Sequence, residues 1–170
     1  MTGLMRSLAD IALLRRDPSG LPSSWASVAV FVLAYAVADI VVALTGSVQP
    51  VLARTAVDLA LTLPFFWLLL AITRRTHRFP QTINAALGVY VLLAPVIILL
   101  LLLRNPAQSN GALALLIPAG FTAFMIWYLL IVGHILRSAL DTGLVTGFAI
   151  AITWLVATVA ISRVLFGDVT

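Results

Sequence analysis

The stretch FPQTINAALGVYVLLAPVIILLLLL, residues 79–103, contains no charged side chain and is long enough to indicate the fold class. The hydrocarbon core of a lipid bilayer is about 30 Å thick, and a helix of about 20 apolar residues crosses it. In that core only helices and closed barrels satisfy their own backbone hydrogen bonds, and this run is too long and too uniformly apolar for a barrel strand. The stretch therefore predicts a membrane-spanning helix.

Four further runs free of Asp, Glu, Lys and Arg lie on either side of it: Pro18–Ala38, Leu59–Thr73, Asn105–Leu136 and Thr142–Ser162. Apolar residues make up 62% of the chain and charged residues 9%, against about 45–50% and about 25% in soluble domains. The sequence therefore predicts an all-α integral membrane protein with an N-terminal lead (residues 1–20) and a five-helix membrane domain (residues 21–166). The expected transmembrane spans are approximately residues 25–44, 54–73, 82–102, 112–132 and 144–163.

The arginines predict the orientation of these spans. One side of the membrane would hold seven of them: Arg6, Arg15, Arg16, Arg74, Arg75, Arg78 and Arg137. The other side would hold three: Arg54, Arg104 and Arg163. Because cytoplasmic segments carry the excess of basic residues, we expect a cytoplasmic N-terminus and, after five crossings, a C-terminus outside.

The N-terminal lead has the pattern of an amphipathic helix. Its apolar face would contain four residues: Leu4, Leu8, Ile11 and Ala12. Arg6 and Asp10 form an i,i+4 pair on another face, and residues 17–20 (DPSG) end the helix. Such a helix can lie in the membrane interface with its apolar face in the headgroup boundary. The alternative is a loosely ordered polar tail.

Residues 78–88 (RFPQTINAALG), followed by Tyr90 and Pro95, resemble a stretch of the Yip1-domain family. Members of that family often carry a Phe-x-Gln-Thr-like entry into the third membrane helix, with an aromatic residue and a proline further on. Residues 127–147 resemble the closing helix pair, and the whole resemblance covers about residues 25–163. It implies five helices, a cytoplasmic N-terminus and a role as a membrane adaptor. The chain lacks the long polar N-terminal region of the eukaryotic members and looks like the compact bacterial ones, so the expected location is the bacterial inner membrane.

Three charged residues are expected inside the membrane: Asp39, Arg54 and Asp58. Residues 59–73 are too few to span a bilayer, so the second span must begin near Arg54; this places Asp58 about 6 Å and Asp39 about 7.5 Å below the outer boundary. A charge near the centre of a membrane helix costs at least about 2.5–3.5 kcal/mol, which predicts that the three side chains face the bundle and pair. The cluster is either an ion pair that joins the first two spans or a proton- or cation-binding site open to the outside.

A second candidate set consists of His134, Arg137 and Asp141, which follow the fourth span at i, i+3 and i+7. On a continuous helix these residues would share one face at the cytoplasmic interface. The set is either a pH-sensing or partner-binding patch, since histidine titrates near neutrality, or a helix end whose basic residues favour the macrodipole.

Small residues follow one another at four-residue spacing in the fifth span, at Gly143, Gly147 and Ala151. Small side chains allow another helix backbone to approach closely, and helix association in lipid depends on such packing. These three residues therefore predict a helix-packing face.

Function is constrained mainly by what the sequence lacks. It has no cysteine, no glutamate and only two histidines, so neither a metal site nor another cofactor is expected. No hydrolase signature and no glycine-rich phosphate loop occurs, which predicts a non-enzymatic protein. The dispersed arginines do not indicate nucleic-acid binding.

Two functions remain open at this point. The first, favoured by the resemblance and by the small-residue face, is a Yip1-like adaptor whose partners are membrane lipid and other membrane proteins or a second copy of this chain. The alternative is a small transporter or a proton- or ion-conducting subunit that uses an outward-facing Asp39/Asp58 site.

Overall fold

A computed structural model describes residues 2–104 and 112–167. The chain in these ranges is helical and contains no strand. Six α-helices follow one another: α1 (Thr2–Ala12), α2 (Trp25–Thr45), α3 (Val51–Ile72), α4 (Phe79–Leu103), α5 (Ala112–Leu140) and α6 (Leu144–Phe166). Short 3-10 turns at Pro18–Gly20 and Thr76–Arg78 precede α2 and α4.

Five of these helices, α2 to α6, are long and apolar enough to cross a membrane. The prediction of an all-α chain with five helices of membrane-spanning length is therefore confirmed. Helix α5 continues to Leu140, beyond residue 132 where the predicted span ends, which agrees with the helical extension expected to carry His134 and Arg137.

Helix α4 lies at the centre of the bundle, where it contacts α1, α2, α3 and α5. Its first half is almost completely buried, with Ile83, Ala85 and Val89 each 0% exposed. Gly88 makes this close packing possible: a Cβ atom there would lie 2.7 Å from a ring carbon of Phe31 in α2 and 2.8 Å from a methyl carbon of Leu8 in α1. Any larger residue at position 88 would force the side chains of Phe31 and Leu8 to shift.

Helix α1 packs on the bundle through three of the four residues of the predicted apolar face, while the fourth, Leu4, is exposed. Leu8, Ile11 and Ala12 are 4%, 1% and 3% exposed, and α1 contacts α4 and α5. The indole N–H of Trp127 in α5 donates a hydrogen bond to the carbonyl of Ala12 (3.2 Å). This face was expected to lie in lipid headgroups, but it contacts protein, because α4 and α5 offer an apolar surface that removes it from water equally well.

Four helices end in the same backbone arrangement. One or two positions after the helix end a residue adopts positive φ, and the N–H of the following residue donates to a carbonyl five residues earlier, as in a Schellman motif. The positive-φ residues are Leu14, Ser47, Arg74 and Asp141. The corresponding hydrogen bonds run from Arg15 to Asp10, Val48 to Ala43, Arg75 to Leu70 and Thr142 to Arg137. None of the four is glycine, so each turn carries the conformational cost of about 1–2 kcal/mol that a side chain adds in the left-handed region.

Helices α5 and α6 form one of the most extensive contacts in the bundle, and part of the predicted small-residue face lies in it. A Cβ atom at Gly147 would lie 2.2 Å from the carbonyl oxygen of Gly133 and 2.9 Å from the backbone nitrogen of Arg137. Ala151 is 0% exposed. Gly143 precedes the helix, and a Cβ atom there would meet no other atom within 4 Å, so this residue lies outside the contact.

We predict that Gly147→Leu destabilises the protein because the new side chain overlaps the α5 backbone. Overpacking costs about 1–3 kcal/mol, which should lower the thermal unfolding midpoint in detergent. Val145→Leu is the matched control, since Val145 is 83% exposed and has room for the same side chain. Equal midpoints for the two variants would show that α5 and α6 do not pack through Gly147.

Candidate functional site

Two aspartates on neighbouring helices lie at similar depth in the bundle. Asp39 is six residues before the end of α2 and Asp58 is seven residues after the start of α3, which corresponds to about 9 and 10.5 Å along the helices. The short connection at residues 46–50 makes α2 and α3 an antiparallel pair. Both carboxylates therefore approach the same region from adjacent helices.

Hydroxyl groups from three helices donate to these carboxylates. Asp39 accepts hydrogen bonds from Thr55 Oγ1 in α3 and, at 2.8 Å, from Tyr90 Oη in α4. Asp58 accepts a hydrogen bond from Tyr35 Oη in α2. We call these five residues the carboxylate site. Each aspartate is thus held by neutral O–H donors from a neighbouring helix, which satisfies carboxylate oxygens that lipid leaves without partners.

Aromatic rings pack against the carboxylate site on its inner side. The rings of Tyr35 and Tyr90 lie 4.6 Å apart between centroids. Tyr128 in α5 meets Tyr90 edge to face at 6.3 Å and is parallel to Phe124 at 6.4 Å. Aromatic pairs at such distances contribute about 0.5–1.5 kcal/mol beyond their burial. The rings therefore fix the hydroxyls of Tyr35 and Tyr90 in position toward the carboxylates.

The structure corrects the predicted position of Arg54. Its guanidinium donates to the carbonyl of Gln49 (2.9 Å) and to Ser162 Oγ (3.4 Å), and it lies 4.8 Å from the ring centroid of Phe166. Within the described ranges, Arg54 forms no ion pair with Asp39 or Asp58. The reason is the length of the arginine side chain, which reaches a backbone carbonyl at the helix end, where its charge is less costly than inside the bundle.

The carboxylate site therefore contains two acidic groups and no basic partner. The ion pairs found in residues 2–104 and 112–167 all lie elsewhere, at Asp17 and Asp141. In the same ranges no group of three or more His, Cys, Asp or Glu side chains is arranged to hold a metal ion. Two carboxylates and three hydroxyls can bind, share and release a proton, and their oxygens can also face a small cation.

The predicted patch of His134, Arg137 and Asp141 does not form one surface. His134 is 5% exposed, and its Nε2 lies 3.2 Å from the carbonyl oxygen of Arg16 and 3.6 Å from Asp17 Oδ1. Asp141 instead pairs with the arginines between α3 and α4. The spacing rule fails because Asp141 lies one residue beyond α5 at φ +48°, where helical periodicity no longer applies. Arg137 lies on the α6 side, where its backbone approaches Gly147.

Asp141 closes an ionic contact between the end of α5 and the connection before α4. Arg78 donates to Asp141 Oδ1 (3.0 Å) and to the carbonyls of Ser138 and Ala139 (3.1 and 3.2 Å), while Arg75 pairs with Asp141 Oδ2. The hydrogen bond from Arg78, with the charges of Arg75 and Arg78, lowers the pKa of Asp141 below its ordinary value. This carboxylate therefore stays ionised, and two of the arginines predicted to face the cytoplasm have a structural role.

The three hydroxyl residues of the carboxylate site were not among the site residues predicted from the sequence, although the sequence spacing of two of them indicates such a role. Tyr35 precedes Asp39 by four residues and Thr55 precedes Asp58 by three, which are the spacings of side chains on one helix face. A hydroxyl near an intramembrane aspartate on the same face is a candidate donor either to that aspartate or to its neighbour on the next helix. Tyr90 leaves no comparable signal, because its partner lies on a different helix.

Comparison with known proteins returned no match. No protein-family model, no curated protein and no solved structure matches this chain. The resemblance to the Yip1-domain family thus rests on residues 78–88 and the positions that follow them, and it stays a prediction. Function is inferred below from the carboxylate site.

We predict that Tyr35→Phe destabilises the protein because it leaves Asp58 without its hydroxyl donor. An unsatisfied buried polar group costs about 1–3 kcal/mol. Adding Asp58→Asn should recover part of that loss, since it removes the charge that needs the donor. Unfolding free energies in detergent for the two single variants and the double variant would measure this coupling.

Arg54→Ala provides the control for this cycle. Because Arg54 does not touch Asp58, its effect and that of Asp58→Asn should add to within about 0.5 kcal/mol. Strong coupling of Arg54 to Asp58, together with additivity of Tyr35 and Asp58, would contradict the arrangement described here.

Proposed function

We propose that this chain is a multi-pass membrane protein that binds a proton at the Asp39–Asp58 pair and uses it in transport or conduction across the membrane. The observation that carries the proposal is the partner set of the two aspartates. Both accept hydrogen bonds from neutral hydroxyls, and no basic residue of the described chain pairs with either of them.

Charge balance explains why such a pair favours proton binding. Removing an ion from water costs several kcal/mol even after the protein relaxes, and two carboxylates that share a site cannot both ionise without strong repulsion. A proton bound at either Asp39 or Asp58 would remove one of the two charges. An arginine would instead fix both groups as anions, so its absence from the site leaves the proton exchangeable.

The orientation that we propose follows from the arginine distribution. Seven of ten arginines lie at the end of the bundle where α2 and α4 begin and α5 ends, and we infer that this end is cytoplasmic. The carboxylate site then lies nearer the outside, in the outer part of the membrane. Helix α1 would lie at the inner interface, with one face on α4 and α5. Four exposed apolar side chains of α1 and the turn after it would face lipid: Leu4, Met5, Leu13 and Leu14.

We predict that the α3–α4 connection faces the cytoplasm and that the α2–α3 connection faces outward. Thr76 and Ser47 are exposed in these connections, and the chain contains no native cysteine. In intact cells a membrane-impermeant thiol reagent should label Ser47→Cys and leave Thr76→Cys unlabelled until the membrane is permeabilised. The reverse labelling pattern would invert the orientation and place the carboxylate site near the cytoplasm.

The adaptor function implied by the Yip1 resemblance is a weaker second proposal. One feature in its favour was the small-residue face of the fifth span, which would be open to a partner helix. Gly147 of that face packs against α5 of the same chain, and Ala151 is completely buried in the bundle. The resemblance and the lack of catalytic motifs are what still support an adaptor.

Proton movement through the purified protein tests the proposed function. In proteoliposomes with a trapped pH-sensitive dye, a potassium diffusion potential should drive a proton flux above that of protein-free liposomes. The double variant Asp39→Asn/Asp58→Asn should reduce the flux to the protein-free level. Asp141→Asn is the matched control, because Asp141 is exposed at the opposite end of the bundle and should not alter the flux.

Two results would contradict the proposal. One is a parent protein whose flux equals that of empty liposomes, and the other is an undiminished flux in the double aspartate variant. A flux that requires sodium ions and ignores the pH gradient would reassign the carboxylate site from a proton to a small cation.

A further inference from the structure

Thr62 differs from several other threonines of the long helices. Threonine in a helix commonly donates its hydroxyl to the carbonyl four residues earlier. Among the described residues, four threonines inside these helices and Thr73 directly after α3 do so; the five are Thr45, Thr73, Thr82, Thr122 and Thr153. Thr62 is 3% exposed, yet its Oγ1 has no hydrogen-bond partner among the described residues. Its hydroxyl therefore needs a partner that the described protein atoms do not supply.

Trp154 in α6 carries a second buried polar atom of this kind. Its side chain is 8% exposed, and its indole N–H donates to no atom in the part of the chain that the structure describes. A buried tryptophan usually finds an acceptor for this N–H, as Trp127 does at the carbonyl of Ala12. Two unsatisfied polar atoms thus lie on facing helices, α3 and α6.

Both residues line the same internal cavity. The cavity measures about 10 Å³, and Tyr35 and Tyr128 are also among its lining residues. One water molecule needs roughly 10–15 Å³ of space for a water-sized sphere, together with polar partners. This space matches a single water molecule, and a purely apolar cavity of this size stays dry. The volume of the cavity and the polar atoms of Thr62 and Trp154 in its lining therefore indicate a water molecule as its occupant.

We propose that this cavity binds one water molecule, which accepts a hydrogen bond from Trp154 Nε1 and bonds to Thr62 Oγ1. The role of this water rests on the proposed function. The water would lengthen the hydrogen-bonded path that begins at Asp58 and along which a proton would move. Thr62 follows Asp58 by one helical turn, about 6 Å nearer the middle of the membrane. Tyr35 connects the carboxylate site with the cavity, because its hydroxyl donates to Asp58 and its side chain also lines the cavity.

The bound water would serve two purposes. It satisfies two buried polar atoms, each of which costs about as much as a lost hydrogen bond when it has no partner. It also brings an exchangeable proton carrier to the middle of the bundle, where Phe66, Leu87 and Val132 line the cavity beside the rings of Tyr35 and Tyr128. The carboxylate site is thereby extended inward from the outer part of the membrane.

The indole N–H of Trp154 reports directly on this water. In ¹⁵N-labelled protein in detergent micelles, the four indole signals can be assigned by replacing each tryptophan in turn with phenylalanine. If Trp154→Phe does not fold, the other three variants still identify the Trp154 signal by elimination. The Trp154 signal should show magnetisation transfer from water protons. Thr62→Val should abolish that transfer and shift the signal, whereas Thr62→Ser should retain it.

Thr153→Val is the matched control, since Thr153 adjoins Trp154 but donates to the carbonyl of Ala149 (3.0 Å). It should leave the transfer unchanged. No transfer in the parent protein, or unchanged transfer in Thr62→Val, would overturn the water site. Transfer in a protein that shows no proton flux would support the water site and count against the proposed function. When flux is present, Thr62→Val should lower it several-fold relative to Thr153→Val, and equal flux would overturn the role assigned to the water.

Discussion

The hydrocarbon core of a bilayer offers no hydrogen-bond partner, and this constraint accounts for most of the interior of the protein. Backbone groups are satisfied within the five long helices, and several helical threonines donate to the carbonyl one turn earlier. Asp39 and Asp58 accept from hydroxyls of neighbouring helices, while Arg54 extends to a carbonyl at the end of the bundle. Thr62 and Trp154 differ, because their buried polar atoms have no hydrogen-bond partner in the described chain and both residues line the same cavity.

The aspartates of this chain occupy two contrasting environments. Asp141 is exposed and receives hydrogen bonds from Arg75 and Arg78, so it remains an anion and holds the end of α5 to the connection before α4. Asp39 and Asp58 lie among hydroxyls and aromatic rings, and no arginine of the described chain pairs with them. A cationic partner cancels the charge of a carboxylate, whereas a neutral hydroxyl donor stabilises the anion without cancelling its charge. This difference supports a proton-linked role for the second environment.

Helix α4 connects the N-terminal lead to the carboxylate site. Leu8 of α1 and Phe31 of α2 both pack at Gly88, where a side chain of any size would collide with them. Tyr90, two residues further along, donates to Asp39. The position of Tyr90 relative to the aspartates therefore depends on how closely α1 and α2 approach α4. The lead is part of the packing that sets the geometry of the site.

By itself the sequence determined the all-α class and the number of long apolar helices, because bilayer thickness and the run lengths between charges are one-dimensional quantities. It also placed Asp39 and Asp58 at similar depth, since depth along a helix follows from residue count. Only the tertiary structure decided which partners they have. The partner of a side chain depends on how each helix is rotated and which neighbour it faces, so Arg54 turned to the helix end while Tyr35 and Tyr90 turned to the carboxylates. The partners of Asp141 could not be predicted for a related reason. Helical spacing no longer applies where the backbone leaves the helix, and beyond that point the contacts of a side chain depend on the tertiary structure.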